Sequence, residues 1–210
     1  MAKERFHILL TAPTELESRV FERHELDQAY ILVTGIGTPL TLSSVLDYLY
    51  WHPVDLAIQV GFAGSFDDTL PIGTTHVVLM DAFADVAWYS DGQREPVYKK
   101  HGYSFFPLDG YLFPIGLNAS VEGVRGITVH EPTIDEENMN WLKKHWSPDV
   151  ETMEGAAFYL ACNLRHVPSL QIRVVSNYVG DSREKWEFPL ALQALKKTWL
   201  ALVKKIYPHV

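Results

Sequence analysis

The chain has 210 residues, of which 47% are hydrophobic and 21% are charged, and these proportions match a globular protein and exclude intrinsic disorder. Its 18 basic and 26 acidic residues give a net charge of −8, and no run contains more than two Lys or Arg, so we expect no nucleic-acid partner. The apolar runs are strand-sized and far below the roughly 20 residues of a membrane-spanning helix, so we also expect no membrane partner.

The amino-terminal segment returns to polar residues after a few apolar ones, which predicts a first core strand and not a signal peptide, and hence a cytoplasmic protein. No low-complexity stretch divides the chain, so we expect one domain over residues 1–210. The single cysteine, Cys162, lies in an apolar run and is predicted to be buried. The histidines and the cysteine lack ligand spacing, so we expect no metal site and no cofactor.

Hydrophobic periodicity predicts strands that alternate with helices along the chain. Strands are expected at residues 6–11, 29–34, 56–60, 75–80, 126–129 and 170–176, and helices at residues 38–51, 133–144, 152–163 and 189–206. The second of these helices begins with the capping-box pattern Thr133-Ile134-Asp135-Glu136. Because this alternation favours helices packed on a sheet, we predict an α/β fold: a single domain with a central mixed, mostly parallel β-sheet flanked by helices on both faces.

Residues 81–118 are rich in aromatic residues, Gly and Pro, and they show no clear periodicity. Long irregular segments inside a domain are often functional, so we expect this region to cover a substrate or to contact another subunit. The alternative is a surface loop without a function. Trp88 and Tyr89 would suit a subunit interface.

Three turns of small residues follow predicted strands: Gly35-Ile36-Gly37, Gly61-Phe62-Ala63-Gly64 and Ser176-Asn177. Because ligands of open α/β sheets bind at the carboxyl ends of the strands, we expect these turns to meet in one crevice. The glycines form neither a dinucleotide-binding fingerprint, which needs a third glycine, nor a P-loop, which needs a following Gly-Lys-Ser/Thr.

Two charged residues stand in otherwise apolar surroundings. Glu154 opens the predicted helix at residues 152–163, where it is either a helix-dipole partner or a functional carboxylate. Arg173 interrupts an apolar strand, where it either pairs with a carboxylate at a site or lies on an exposed edge strand.

In order and spacing, these motifs resemble the nucleoside phosphorylase and nucleosidase superfamily over nearly the whole chain. The resemblance rests on the two glycine turns, on Met153-Glu154-Gly155-Ala156-Ala157, and on Arg173-Val174-Val175-Ser176-Asn177-Tyr178-Val179-Gly180 followed by Trp186. Within that superfamily, Ser-Asn-Tyr-Val-Gly with a nearby Trp is similar to the futalosine hydrolases of the alternative menaquinone pathway. The resemblance implies a homo-oligomeric enzyme that hydrolyses the N-glycosidic bond of a purine nucleoside, converting futalosine to hypoxanthine and dehypoxanthine futalosine.

The resemblance also implies which residues bind the sugar and activate water. Met153 and Glu154 would hold the ribose, with Glu154 accepting hydrogen bonds from its hydroxyl groups. Glu17 would activate the attacking water, and Glu15, two residues away, stays an alternative. Arg173 would orient that carboxylate and the water.

At the base, the resemblance places Ser176 and Asn177 against the leaving purine. The residues expected to line the ribose and the base are Phe62, Ala63 and Gly64, with Thr128 and Val129 beside the base. The sequence after Gly180 departs from the family pattern, which leaves the roles of Asp181 and Arg183 open.

These roles agree with the chemistry of N-riboside cleavage. The reaction passes through an oxocarbenium-like state that a nearby carboxylate stabilises, and a second task, activating the water, suits general-base action. Asn177 has an amide that can hydrogen-bond both N7 and the 6-oxo group of hypoxanthine.

Three other functions compete with this hypothesis. A phosphorylase of the same fold would need basic groups beside the ribose, and the glycine turns contain no Arg or Lys. A methylthioadenosine/S-adenosylhomocysteine nucleosidase would carry Asp in place of Asn177. A catalytically silent nucleoside-binding protein would not need Glu17, Glu154 and Arg173 together.

Overall fold

The computed structural model describes residues 6–21, 29–97 and 123–206, and these contain nine strands and five helices. In chain order the elements are β1 (Ile8–Ala12), α1 (Glu15–Ser18), β2 (Ala29–Val33), α2 (Thr38–Trp51), β3 (Leu56–Ser65), β4 (Thr75–Met80), β5 (Ala87–Ser90), β6 (Gln93–Pro96), β7 (Val124–Thr128), α3 (Glu136–Trp146), β8 (Val150–Thr152), α4 (Gly155–Leu164), β9 (Ser169–Tyr178) and α5 (Phe188–Ile206). A short 3-10 turn, Arg183–Lys185, precedes α5.

Seven of the described strands form one sheet in the order β2-β1-β3-β8-β7-β4-β9, and β9 also pairs with β3. The pairs β1/β2, β1/β3, β3/β9, β4/β7 and β7/β8 are parallel, whereas β3/β8 and β4/β9 are antiparallel. Because β9 returns to β3, five strands close into a ring, and β1 and β2 extend the sheet from β3. The predicted mixed, mostly parallel sheet is confirmed.

Helices cover both faces of this sheet, as predicted. Trp199 of α5 packs with Ile58 on one face, whereas Val45 of α2 and Cys162 of α4 cluster with Ala57 on the other. Ile58 and Ala57 are neighbours on β3, and successive side chains of a strand point to opposite faces. Cys162 is thereby buried, as its apolar surroundings predict. No helix in the described part of the chain is long and apolar enough to cross a membrane.

The two strands that lead to the site are longer than the sequence predicts. β3 and β9 have ten residues each, so Gly61–Gly64 and Ser176–Asn177, expected as turns, are strand residues. The parallel pairing of β3 with β9 continues as far as Ser65 and Tyr178, with one register shift between Ala63 and Gly64. This pairing keeps the small residues at the ends of both strands extended.

Two helix starts also differ from the prediction. Residues 150–152 form the short strand β8, so α4 begins at Gly155 and not at residue 152. The helix α3 begins at Glu136 because the side chain of Asp135, and not that of Thr133, caps it by accepting a hydrogen bond from the Asn138 N–H at 2.6 Å. In α2, by contrast, the predicted range agrees with the structure.

The region expected to be irregular contains a hairpin. Strands β5 and β6 pair antiparallel, so the expectation of irregular structure was wrong for residues 87–96. Trp88 and Tyr89 lie on β5 and are 39% and 78% exposed. Residues 98–118 of the predicted region lie outside the described residues.

Candidate active site

The carboxyl-terminal ends of β3 and β9 meet α1 and the start of α4 at a cavity of about 540 Å³. This is the crevice that the strand-end turns predict. Eight of the predicted site residues line it: Glu17, Phe62, Ala63, Gly64, Met153, Glu154, Ser176 and Asn177. Arg173 does not line the cavity but lies beside Glu154, which does, and Thr128 and Val129 are not among the lining residues.

Glu17 lies on the short helix α1, and its carboxylate is buried in the cavity wall. Its Oε1 accepts a hydrogen bond from the Phe62 N–H at 3.1 Å, and its Oε2 accepts one from the hydroxyl of Thr14, which also caps the helix. Burial raises the pKa of Glu17, and these two hydrogen bonds and Arg173 oppose the rise. Glu15 is exposed on the same turn and does not line the cavity, so the geometry favours Glu17 of the two.

Glu154 is the N-cap residue of α4, but its side chain makes no capping hydrogen bond. Its Oε1 accepts a hydrogen bond from the Gly37 N–H at 2.9 Å, across the cavity wall from the loop before α2. Gly37 has φ 90°, a left-handed backbone conformation that favours glycine, and this aims its N–H at the carboxylate. Burial raises the pKa of Glu154, and Arg173 is the first of the groups that lower it. Glu154 is therefore more than a helix-dipole partner.

Arg173 is buried on β9, which lies between β3 and β4, so the edge-strand alternative is wrong. Its Nε donates to Gln171 Oε1 at 3.3 Å, and its Nη2 donates to Gln59 Oε1. Its Nη1 has no hydrogen-bond partner among the described residues and lies 3.8 Å from Glu154 Oε2. The guanidinium thus presents its Nη1 amino group, which lacks a hydrogen-bond partner among the described residues, towards the carboxylates.

Gly61 allows Arg173 and Glu17 to approach each other. A Cβ atom at Gly61 would overlap Arg173 Nη1 and lie 3.2 Å from Glu17 Oε1. The absence of a side chain there lets one guanidinium stand beside two buried carboxylates, those of Glu17 and Glu154. Such a group can orient a water molecule and keep a neighbouring carboxylate ionised.

Two uncharged polar side chains, Ser176 and Asn177, line the cavity from the end of β9. Ser176 Oγ donates to Asn177 Oδ1 at 2.8 Å, and Asn177 Nδ2 donates to the Tyr178 carbonyl at 3.1 Å. A Cβ atom at Gly64 would lie 3.1 Å from Asn177 Nδ2, so the glycine makes room for the amide. An amide nitrogen carries two hydrogens, so one remains for an acceptor in the cavity.

Aromatic rings form a further wall. The ring centroids of Phe62 and Phe188 are 5.4 Å apart, and those of Trp186 and Phe188 are 5.6 Å apart. Arg183 is exposed over this wall, 5.8 Å from the centroids of Trp186 and Phe188, and it is the only cationic side chain among the described residues that line the cavity. Asp181, whose role the sequence left open, also lines the cavity, and its carboxylate accepts a hydrogen bond from the Tyr178 N–H at 3.2 Å.

The structure does not bring Thr128 and Val129 to the cavity, which corrects their expected place beside the base. The hydroxyl of Thr128 donates to Asp81 Oδ1 at 2.8 Å and accepts from the Ala156 N–H at 2.8 Å, inside the protein. Val129 packs in a core cluster with Trp146. Both side chains therefore stabilise the packing of helices against the sheet.

Sequence reasoning missed several residues that do line the cavity. Pro132 and Thr133 reach it from the segment after β7, and the only signal at Thr133 was a capping box that pointed to a helix start. Glu151 is buried at the cavity, its Oε1 accepts a hydrogen bond from the Thr133 N–H at 2.9 Å, and burial raises its pKa. A carboxylate two residues before Met153 was the signal that could have identified it.

Comparisons with known proteins find similar sequences and similar folds. A family model described as the phosphorylase superfamily matches residues 8–207. Futalosine hydrolase from Thermus thermophilus is 27% identical in an alignment that covers 90% of this chain and 92% of that protein.

Among solved structures, futalosine hydrolase of Helicobacter pylori strain 26695 has a TM-score of 0.76 at 13% identity, with 98% of this chain and 99% of that chain covered. A 5′-methylthioadenosine/S-adenosylhomocysteine nucleosidase from Colwellia psychrerythraea 34H, in complex with adenine, has a TM-score of 0.74 at 20% identity, covering 98% and 96% of the two chains. These likenesses establish the nucleoside phosphorylase-like α/β fold.

Proposed function

The chain belongs to the phosphorylase superfamily, and we propose that within it this protein is a hydrolase that cleaves the N-glycosidic bond of a purine nucleoside, with futalosine as its substrate. Water adds to C1′ of the ribose, the bond from C1′ to N9 of the purine breaks, and hypoxanthine and dehypoxanthine futalosine are released. This reaction would serve menaquinone biosynthesis.

The observation that carries this proposal is the buried carboxylate of Glu17 in the cavity wall, beside the unpaired Nη1 of Arg173 at Gly61. A carboxylate held by two hydrogen bonds and a nearby cation accepts a proton from water as that water attacks C1′. The same negative charge stabilises the positive charge that develops on the ribose. Arg173 orients Glu17 and the water.

The ribose and the base then take the remaining parts of the cavity. Met153 and Glu154 hold the ribose, with Glu154 accepting hydrogen bonds from its hydroxyl groups, and the ring of Phe62 packs against the nucleoside. The purine lies against Ser176 and Asn177, where the free hydrogen of the Asn177 amide donates to N7 or to the 6-oxo group. Hydrogen bonds from this amide stabilise the negative charge that gathers on the leaving purine.

The competing functions have less support. A phosphorylase needs cations around its phosphate, and among the described lining residues only Arg183 is cationic, on the exposed aromatic wall. A methylthioadenosine/S-adenosylhomocysteine nucleosidase, in which Asp replaces Asn177, is the second candidate, because such an enzyme shares the fold. A silent nucleoside-binding protein would gain nothing from burying Glu17 beside Arg173.

We further propose that residues 1–210 form one catalytic domain that acts in the cytoplasm as a homo-oligomer. The match of the family model over residues 8–207 supports a single domain, and the exposure of Trp88 and Tyr89 suits a subunit interface. Light scattering of the purified chain, and of a Trp88→Ser/Tyr89→Ser variant, tests the interface. We expect the variant to have the smaller mass.

One assay separates the candidate functions. The protein is incubated with futalosine, inosine and methylthioadenosine, with and without phosphate, and the free base and the sugar product are quantified. We expect hypoxanthine from futalosine at the same rate in both conditions. A ribose 1-phosphate product would make the protein a phosphorylase, preferred release of adenine would make it a methylthioadenosine nucleosidase, and no release of base would make it a binding protein.

A further inference from the structure

Two neutral side chains, those of Gln171 and Gln59, accept hydrogen bonds from the guanidinium of Arg173. Gln171 Oε1 accepts from Arg173 Nε at 3.3 Å, and Gln59 Oε1 accepts from Arg173 Nη2. Both glutamines and Arg173 are almost completely buried. The guanidinium therefore has acceptors on two sides, and only Nη1, which faces Glu154 and Gly61, lacks one among the described residues.

The orientation of Gln171 is determined by its surroundings. Its Nε2 donates to the Gly155 carbonyl at 3.0 Å and to Asp81 Oδ2 at 3.4 Å. A carbonyl can only accept, and an ionised carboxylate likewise only accepts, so the amide nitrogen must face them and Oε1 must face Arg173. A Cβ atom at Gly155 would overlap both Asp81 Oδ2 and Gln171 Oε1, so the glycine after Glu154 is needed for this arrangement.

Gln59 shows why the neutral form matters. Its Nε2 is buried and has no partner among the described residues, and an unpaired buried donor is destabilising. A glutamate at the same place would keep the acceptor for Arg173 Nη2, would have no unpaired donor, and would form an ion pair. A glutamate would exchange that unpaired donor for a buried charge beside Arg173, so what the glutamine provides is the absence of a charge.

We propose that Gln59 and Gln171 are positioning residues that hold Arg173 through two neutral acceptors, so that its charge and its Nη1 group stay available to Glu17, Glu154 and the reacting water. The inference rests on the proposed hydrolysis, in which Arg173 orients the water. A carboxylate in either glutamine's place would pair with the guanidinium and weaken its attraction for the two cavity carboxylates.

The other charged and titratable groups around Arg173 set the background for a test. Glu17 faces it from α1, Glu154 from the start of α4, and Asp81 from the end of β4. His76 stands opposite Arg173 in the β4 and β9 pairing and shares a hydrogen bond with Thr74. Arg173 lowers the pKa of Glu17 and of Glu154, against the larger effect of burial.

The decisive variant is Gln59→Glu in the whole chain, since it keeps the shape and the acceptor and adds only a charge. The measurement is kcat/KM for futalosine from pH 4 to 8. We expect the acidic limb to move to higher pH by at least about half a unit, because the added carboxylate offsets Arg173 and raises the pKa of Glu17 and Glu154. We also expect kcat at the optimum to fall about tenfold.

A second variant, Gln171→Met, removes the acceptor of Arg173 Nε without adding a charge. We expect kcat to fall about tenfold with KM within about twofold of the wild-type value, because the lost alignment acts on the transition state and not on substrate binding. Its acidic limb should stay in place. If Gln59→Glu does not fold, this variant decides the proposal.

Tyr159→Phe is the matched control. The Tyr159 hydroxyl lies in the same buried layer, donates to the Val78 carbonyl at 2.6 Å and accepts from the Gln171 backbone N–H at 3.1 Å, so it does not touch the side-chain amide. We expect a lower melting temperature, kcat within about twofold of wild type and an unmoved acidic limb.

Two results would overturn the proposal: a folded Gln59→Glu variant whose acidic limb coincides with that of the wild type, or a folded Gln171→Met variant with unchanged kcat. A readout without substrate separates this proposal from the proposed function. Carbon-13 NMR titration of the Glu17 and Glu154 carboxyl groups should give higher pKa values in Gln59→Glu even if no nucleoside is cleaved. Unchanged carboxyl titrations would refute the positioning role of the two glutamines alone.

Discussion

The two ends of the cavity are built from different chemistry. At one end, the buried carboxylates of Glu17 and Glu154 surround the unpaired Nη1 of Arg173. At the other end, Ser176 and Asn177 offer only a hydroxyl and an amide, and their hydrogen bonds stay within the strand and its neighbours.

The difference assigns the two ends to different tasks. Buried charges interact strongly in a low dielectric, so the charged end suits the step in which charge develops on the ribose and the water loses a proton. Neutral donors and acceptors discriminate by pairing, so the amide end suits the choice of base. Changes at the charged end should therefore lower the rate for every nucleoside, and changes at the amide end should alter the ratio between bases.

The largest effect is expected from the charged end. Glu17→Gln and Glu154→Gln should each lower kcat/KM for futalosine about 10²-fold or more, the scale of a lost general base or electrostatic group. Both variants should fold, since Gln keeps an acceptor for the N–H groups of Phe62 and Gly37. Steady-state kinetics and a thermal unfolding curve check the two statements.

Glu15→Gln is the control for Glu17→Gln, because Glu15 is exposed on the same helical turn. It should keep near wild-type activity. A loss of activity in Glu15→Gln with near-normal activity in Glu17→Gln would transfer the role of the base by two residues.

The next effect concerns the amide end and alters selectivity. Wild type should cleave a hypoxanthine nucleoside in preference to the adenine nucleoside with the same 5′ group, and Asn177→Asp should narrow or reverse the ratio by about 10- to 100-fold, the cost of one mismatched buried pair. The structure gives a further reason to expect a change in selectivity. An Asp oxygen in place of Nδ2 would face the Tyr178 carbonyl, and both atoms can only accept a hydrogen bond. Specificity constants for futalosine and its 6-amino counterpart provide the measurement, and an unchanged ratio would contradict the assignment of this end to the base.

Much of the fold follows from periodicity alone. The bounds of α2 and β4 agree with the prediction because each is a clear run of apolar spacing between turn residues. The strand β8 has only three residues, too few to show alternation, so it is not predicted, and only its last residue falls within the predicted helix at residues 152–163. The ends of β3 and β9 are rich in small residues, which favoured turns, and only their mutual pairing keeps them extended.

The site is predictable where a motif carries it and not elsewhere. The family resemblance predicts Glu17, Glu154, Arg173 and Asn177 as site residues, and of these Glu17, Glu154 and Asn177 line the cavity. The resemblance also predicts Thr128 and Val129 beside the base, whereas the segment after β7 lines the cavity with Pro132 and Thr133. Which residues of such a segment reach the cavity depends on tertiary packing, and the local sequence pattern does not show it.

The pH dependence of the rate sharpens the contrast between the ends. Burial raises the pKa of both Glu17 and Glu154 above the ordinary 4.5, and the proposed base must be ionised, so activity should fall as the pH drops through values above 4.5. Thr14→Val removes a hydrogen bond that lowers the pKa of Glu17, so its acidic limb should lie higher and its activity near pH 5 should be several-fold, up to about tenfold, below wild type. The profile of kcat/KM decides this, and an acidic limb below pH 4.5 in wild type would contradict a base with a raised pKa.

The smallest effect is expected from Ser176, which supports the amide end without adding charge. Its hydroxyl donates to Asn177 Oδ1 at 2.8 Å and so helps to keep Nδ2 directed at the Tyr178 carbonyl and the cavity. Ser176→Ala removes the hydrogen bond to Asn177, worth about 0.5–1.5 kcal/mol, so the preference for hypoxanthine over adenine should fall only about two- to tenfold. Introducing Glu17→Gln into the Ser176→Ala variant should lower the rate by the same factor as in wild type. Ser169→Ala, at the opposite end of the same strand and also buried, is the matched control and should leave the ratio unchanged. If Ser176→Ala instead lowered the rates for both bases equally, the loss of a neutral hydroxyl would affect the bond-breaking step and not the recognition of the base. The two ends of the cavity would then not act separately.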